Sequence, residues 1–149
     1  MPKLDLDAIE ATNRTTYPQP FAADMGRRWF RRLAPAGGLA DFGVSHVTLQ
    51  PGGISSQRHW HDDVDEFVVI LSGEAVLVED EGETVLRAGD CAAWPKGAAN
   101  GHHLVNRSSS DCVFIAVGAS DGDCHYPDID LHWDSAAGTY CRKDGTPYA

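Results

Sequence analysis

Turn-forming residues recur along this chain at intervals of about eight to twelve residues, and that rhythm restricts its fold more than any other feature. Pro51-Gly52-Gly53, Ser72-Gly73, Asp80-Glu81-Gly82 and Pro95-Lys96-Gly97 all tolerate tight backbone turns. Around them, strands are predicted at Asp41 to Leu49, Ser55 to His61, Glu66 to Leu71, Ala75 to Glu79, Glu83 to Arg87, Cys91 to Trp94, His102 to Asn106 and Cys112 to Val117. Short strands joined by hairpins suit two facing antiparallel sheets, so the predicted class is all-β, a jelly-roll barrel. Residues 1 to about 35 lack the rhythm and read as an irregular or short helical lead. After Gly118 come a turn at Asp121-Gly122, an alternating run from Cys124 to Trp133 and a last segment from Gly138, read as added edge strands. No internal repeat or linker divides the 149 residues, a length that suits one domain over 1–149.

Within this frame the segment from Gly53 to Gly73 carries His59, His61 and Glu66. On an extended strand successive side chains alternate faces, so His59 and His61 project to one side, close enough to share an ion, while Trp60 points the other way. The polar stretch Asp62 to Asp65 bends the chain before Phe67 to Leu71 resumes an apolar strand, which returns the Glu66 carboxylate toward the rings. Downstream, Gly89, Pro95, Gly97, His102, His103 and Asn106 combine turn residues with a second histidine pair.

Both segments resemble the two motifs of the cupin superfamily. The first motif runs glycine, five residues, His-x-His, four residues, Glu, six residues, glycine, and this chain fits it throughout. The second runs glycine, five residues, Pro-x-Gly, two residues, His, three residues, Asn. Here four residues rather than two separate Gly97 from His102, and Asn100 occupies the usual histidine position. The His102 to Asn106 spacing is intact, so the resemblance implies a turn expanded by two residues and gives the metal role to His102. His103 is the competing fourth ligand, since a bulge beside Gly101 would reverse its face. The resemblance covers about residues 40–118 and implies a double-stranded β-helix, one divalent metal ion and a homodimer. The ending Tyr126-Pro-Asp-Ile-Asp130 and Lys143 to Tyr148 is similar to that of small bacterial single-domain cupins.

Three imidazoles and one carboxylate form a mixed nitrogen and oxygen site that suits Zn, Ni, Mn or Fe. Open coordination positions would take a small-molecule substrate, giving sugar or small-acid isomerase or lyase chemistry, or a dioxygenase with iron. The alternative is a non-catalytic cupin in which the metal orders the barrel or presents a small ligand. Gln57 shares parity with His59 and is either a hydrogen-bond donor to ligand or substrate, or a satisfied core amide. Trp94, Tyr126 and Trp133 are candidates to line the substrate pocket or to fill the core. His46, His125 and His132 carry no motif and read as structural.

Formal charge is -10, with a pI near 4.9, which disfavours nucleic acid and anionic membrane as partners. One local exception is Arg27, Arg28, Arg31 and Arg32 around Trp29 and Phe30, read as an anion-binding or partner patch, or as a solvated face with its aromatics turned inward. The absence of an apolar stretch of spanning length and of a signal-peptide pattern points to a cytoplasmic protein. Cys91, Cys112, Cys124 and Cys141 form no Cys-x-x-Cys and read as reduced packing residues, with Cys91 expected near the barrel interior.

Overall fold

The computed structural model describes residues 2–118 and 122–148, so Asp121 of the expected turn lies outside the described residues. Twelve strands follow in chain order: β1 (Arg28–Arg32), β2 (Gly43–Leu49), β3 (Trp60–His61), β4 (Glu66–Ser72), β5 (Glu74–Glu79), β6 (Gly82–Arg87), β7 (Cys91–Trp94), β8 (His103–Val105), β9 (Cys112–Gly118), β10 (Cys124–His125), β11 (His132–Asp134) and β12 (Thr139–Cys141). One short helix, Leu33–Ala36, and two 3-10 turns complete the described elements. None of these helices is long and apolar enough to cross a membrane.

The strands pair antiparallel in a five-stranded sheet, β1-β2-β9-β4-β7, and two smaller ones, β6-β5-β8 and β12-β11-β10-β3. Period-two alternation decides what faces inward. Along β4, Val68 and Ile70 are buried while Phe67 and Leu71 are exposed. The buried faces of β2, β4 and β9 meet Ala75, Leu77, Leu86 and Leu104 of β5, β6 and β8 in the main core. A second cluster, Cys124, Tyr126 and Leu131, holds the C-terminal sheet together. The all-β jelly-roll reading, as a single domain, agrees with this architecture. Gly73 joins β4 to β5 at φ +74°, and a Cβ there would collide with the Asp111 carbonyl.

Two expected segments differ. The lead is not irregular throughout, because Arg28–Arg32 forms an edge strand in register with β2, Arg28 opposite Leu49 and Phe30 opposite Val47. Its alternation packs Phe30 against the core and leaves Trp29 exposed, so the two aromatics are not both turned inward. The predicted strand Ser55 to His61 is reduced to Trp60–His61. Single bridges join Ile54 to Val105 and His59 to His102, five steps along one chain against three along the other, so two extra residues bulge out between them. Ser55 is fixed in that bulge, its backbone N–H donating to Leu104 O (2.8 Å) and its Oγ accepting from Leu104 N (2.9 Å).

Candidate metal centre

His59 and His102 are the pair joined by the second of those bridges, with reciprocal backbone hydrogen bonds of 3.2 and 2.9 Å. Residues directly opposite on an antiparallel pair project to one side, and their rings lie 5.2 Å apart. His61, on β3, follows His59 by two and its ring stands 5.0 Å from it. Glu66 opens β4, where its carboxylate meets all three imidazoles: Oε1 lies 3.4 Å from His59 Nε2 and 3.4 Å from His61 Nε2, and Oε2 lies 2.6 Å from His102 Nε2.

Each ring is held from behind by a backbone carbonyl. His59 Nδ1 lies 2.9 Å from Gln57 O, His61 Nδ1 3.3 Å from Asp123 O, and His102 Nδ1 2.8 Å from Asn100 O. A carbonyl only accepts, so Nδ1 carries the proton and a neutral ring presents its Nε2 lone pair to the carboxylate. Lone pairs facing an anionic oxygen repel unless a cation stands between them, either a proton or a metal ion. The donor set therefore fits a divalent ion, with both the tautomers and the ring orientations already set. The same demand sets the protonation each group favours. Burial pulls the His61 imidazole down, but contacts with Cys124 and Glu66 outweigh it and leave it raised to about 10. Burial also opposes ionisation of Glu66, yet hydrogen bonds from His102, His59 and His61 hold it well below the usual carboxylate range.

The expanded turn before His102 is built by its own side chains. Trp94 stacks flat on the His102 ring at 3.9 Å, and its Nε1 donates to Glu79 Oε1 (2.9 Å). Asn100 Nδ2 donates to the same oxygen (2.9 Å), while its Oδ1 accepts from Asp80 N (3.1 Å). Arg58 Nη1 donates to Gly101 O (2.9 Å) and pairs with Asp80, and its Nε and Nη2 each reach Asp128 at 2.7 Å. Gly101 must be glycine here, because a Cβ would stand 2.7 Å from Pro127 Cγ and 3.0 Å from Arg58 Nη1.

His59, Glu66 and His102 line one wall of a cavity of about 290 Å³, with Trp94 and His103 beside them. That volume sits near the lower end for small-molecule pockets. His103 turns away from Glu66, its Nδ1 2.8 Å from Ser56 O, and burial lowers its pKa. His102, only 5% exposed, is the histidine of the pair that joins the carboxylate.

The other expected residues are dispersed. Gln57 sits in the bulge, donates to Asp24 Oδ2 (2.8 Å) and is absent from the cavity wall, because the two extra residues break its parity with His59. Tyr126 is buried with its ring 5.9 Å from His59, and it lines a separate hollow with Trp60, His125 and Leu131. Trp133 packs on Tyr140 at 4.8 Å in the second cluster and lines neither cavity. Cys91 is exposed rather than interior, since Trp94 takes the inward parity of β7. Cys124, read as packing, is buried and registered opposite His61, and its thiol lies within 4.8 Å of nitrogens of His59 and His61. No spacing in the sequence signals that approach, because β3 and β10 are joined only in the fold.

Comparison with known proteins bears on the same residues. The family described as "Cupin domain" matches residues 45–118, the stretch that holds all four converging side chains. A crystal structure from Silicibacter pomeroyi, described as a sugar phosphate isomerase from a cupin superfamily, is 45% identical, covers 99% of this chain and 97% of its own, and superposes with a TM-score of 0.94. The chain belongs to the cupin superfamily. A putative sugar phosphate isomerase from Acidithiobacillus ferrooxidans (24% identity, 76% of this chain and 74% of its own, TM-score 0.71) shares the fold. So does the polyketide cyclase RemF from Streptomyces resistomycificus (20% identity, 82% and 81%, TM-score 0.67). None of the curated proteins matches this cupin.

Proposed function

We propose that this cupin holds one divalent metal ion through His59, His61, Glu66 and His102 and isomerises a small phosphorylated sugar in the adjoining cavity. The observation that carries the metal reading is the common arrangement of the three imidazoles, Nδ1 tied to a carbonyl and Nε2 facing Glu66. The description of the 45% identical relative as a sugar phosphate isomerase supports the substrate class. A bound divalent ion of the Zn, Ni, Mn or Fe type would supply Lewis-acid polarisation of a substrate carbonyl.

Aldose to ketose interconversion moves one proton between neighbouring carbons and one between their oxygens, with no net oxidation. His103 suits the proton transfer. It lines the cavity, takes no place on Glu66, and burial favours its neutral, proton-accepting form. Trp94 braces His102 on one side and, with Phe114 and Leu104, gives the cavity an apolar lining.

The test is incubation of protein loaded separately with each metal, with a panel of aldose and ketose phosphates in D2O, followed by proton NMR. Interconversion with deuterium exchange at the carbon beside the carbonyl is the expected result. Metal bound at stoichiometry with no exchange on any sugar phosphate would leave a ligand-presenting cupin. Turnover that requires dioxygen would replace isomerisation with oxygenation.

A further inference from the structure

Arg28 is a cation folded into the cavity wall with no counter-ion among the described residues. It opens β1, and the alternation of that strand turns Arg28 and Phe30 to one side, where both line the cavity with His59 and Glu66. Its Nη1 donates to Ser55 O (3.0 Å) and its guanidinium carbon lies 5.0 Å from the Phe30 ring centre. Its Nε is buried and meets no hydrogen-bond partner. The titratable neighbours of Arg28 are the phenols of Tyr17, Tyr126 and Tyr140, and burial keeps all three protonated and neutral. Burial itself pushes the Arg28 guanidinium down from its ordinary value, which marks the cost of leaving it unpaired.

Four of the other arginines carry ion pairs. Arg58 pairs with Asp80 and Asp128, Arg87 with Glu74, Arg107 with Glu83 and Arg142 with Asp130. Arg27 and Arg31, like Arg28, donate to backbone carbonyls, of Pro51 (2.8 Å) and Ile9 (3.0 Å), but neither lines the cavity. In a chain of net charge -10 carboxylates are plentiful, yet among the described residues none lies within ion-pair distance of Arg28. A planar, unpaired guanidinium in the lining of a pocket matches the charge and geometry of a phosphate. Arg28 Nη1 meets Ser55 O (3.0 Å), Ser56 Oγ lies 3.1 Å from His59 Nδ1, and all four residues line the same cavity, so a small molecule on Arg28 shares that space with the imidazoles.

We propose that Arg28 is the phosphate receptor of this cavity, binding the phosphate monoester of the substrate while the reacting carbons lie toward His59, Glu66 and His102. This rests on the sugar phosphate reading for the identity of the ligand, but the anion subsite stands on Arg28 alone.

The experiment titrates inorganic phosphate, a sugar phosphate and the same sugar without phosphate into metal-loaded wild type, Arg28→Met, Arg28→Lys and Arg27→Met, by calorimetry. Saturable binding of both phosphates and none of the plain sugar is expected in wild type and Arg27→Met. Arg28→Met should weaken both phosphates about tenfold or more at unchanged metal content, with Arg28→Lys in between. If Arg28→Met does not fold, modification of wild-type Arg28 by phenylglyoxal, read by mass spectrometry, must slow in phosphate. Phosphate affinity equal in wild type and Arg28→Met, no saturable phosphate binding in wild type, or modification of Arg28 unaffected by phosphate would each overturn the subsite. Phosphate binding lost with Arg28 but accompanied by no turnover of any sugar phosphate would keep the subsite and refute the isomerase reading. Turnover of sugar phosphates with KM unmoved in Arg28→Met would do the reverse.

Discussion

Asn106, the last residue of the second cupin motif, tests whether that motif holds the barrel rather than the metal. It is wholly buried, at 0% exposure. Its Nδ2 donates to Leu49 O (2.7 Å) and Ser110 O (2.8 Å), and its Oδ1 accepts from Ser108 N (3.0 Å) and Ser108 Oγ (2.7 Å). Asn106→Ala removes both donors and leaves the two carbonyls facing a void. Of the four hydrogen bonds lost, the two from half-buried Ser108 pass to water, and the two from Nδ2 at about 1 kcal/mol each, plus partial desolvation of the stranded Leu49 carbonyl, come to about 2–4 kcal/mol. That is a large share of the roughly 5–15 kcal/mol that holds a domain together. Asn106→Asp is the sharper variant. It keeps the shape and the acceptor but turns an anionic oxygen toward two carbonyl oxygens, so it must destabilise more than alanine does. Urea unfolding followed by tryptophan fluorescence gives both values, with an unchanged slope confirming the same folded state. A loss below about 1 kcal/mol for Asn106→Ala, or an aspartate milder than alanine, would refute the reasoning.

Three further outcomes are expected. Trp94→Leu removes the stack on His102 and the bond to Glu79, and metal affinity measured by competition with a chelator should fall about tenfold or more while the fold persists. Cys124→Ser should retain its metal, because Glu66 rather than the thiol is the group that all three Nε2 atoms meet; loss of metal by elemental analysis would move the ion to the His59, His61 and Cys124 set. Lowering the pH should release metal, since protons compete with the ion for three imidazoles and a carboxylate, and metal content that stays constant from neutral pH to well below the histidine range would contradict this ligand set.

The four converging side chains were legible partly from local rules and partly from the resemblance. His59 and His61 share strand parity, while Gly53, Gly73 and the His102 to Asn106 spacing carry meaning through the cupin motifs, which favoured His102 and left His103 as its rival. The alternation of β4 likewise gave its inward face directly. Other features depend on pairings between residues distant in sequence. Nothing local in Ser55 to His61 announces that two extra residues bulge out against β8, so the parity argument carried to Gln57 failed while the one for His59 and His61 held. Arg28–Arg32 is too charged to read as a strand, and it becomes one because β2 offers an edge. The inward turn of Arg28, the thiol of Cys124 opposite His61 and the retreat of Trp133 onto Tyr140 all follow from that assembly.

The central claim is that Glu66 and three imidazoles are arranged around a metal ion, with His102 rather than His103 as the downstream ligand. Elemental analysis of protein purified without an affinity tag or chelator, run beside His102→Ala and His103→Ala, tests it most directly. About one divalent metal per chain is expected in the parent and in His103→Ala, with a sharp loss in His102→Ala. No metal in the parent even after reconstitution, or loss with His103 in place of His102, would contradict it.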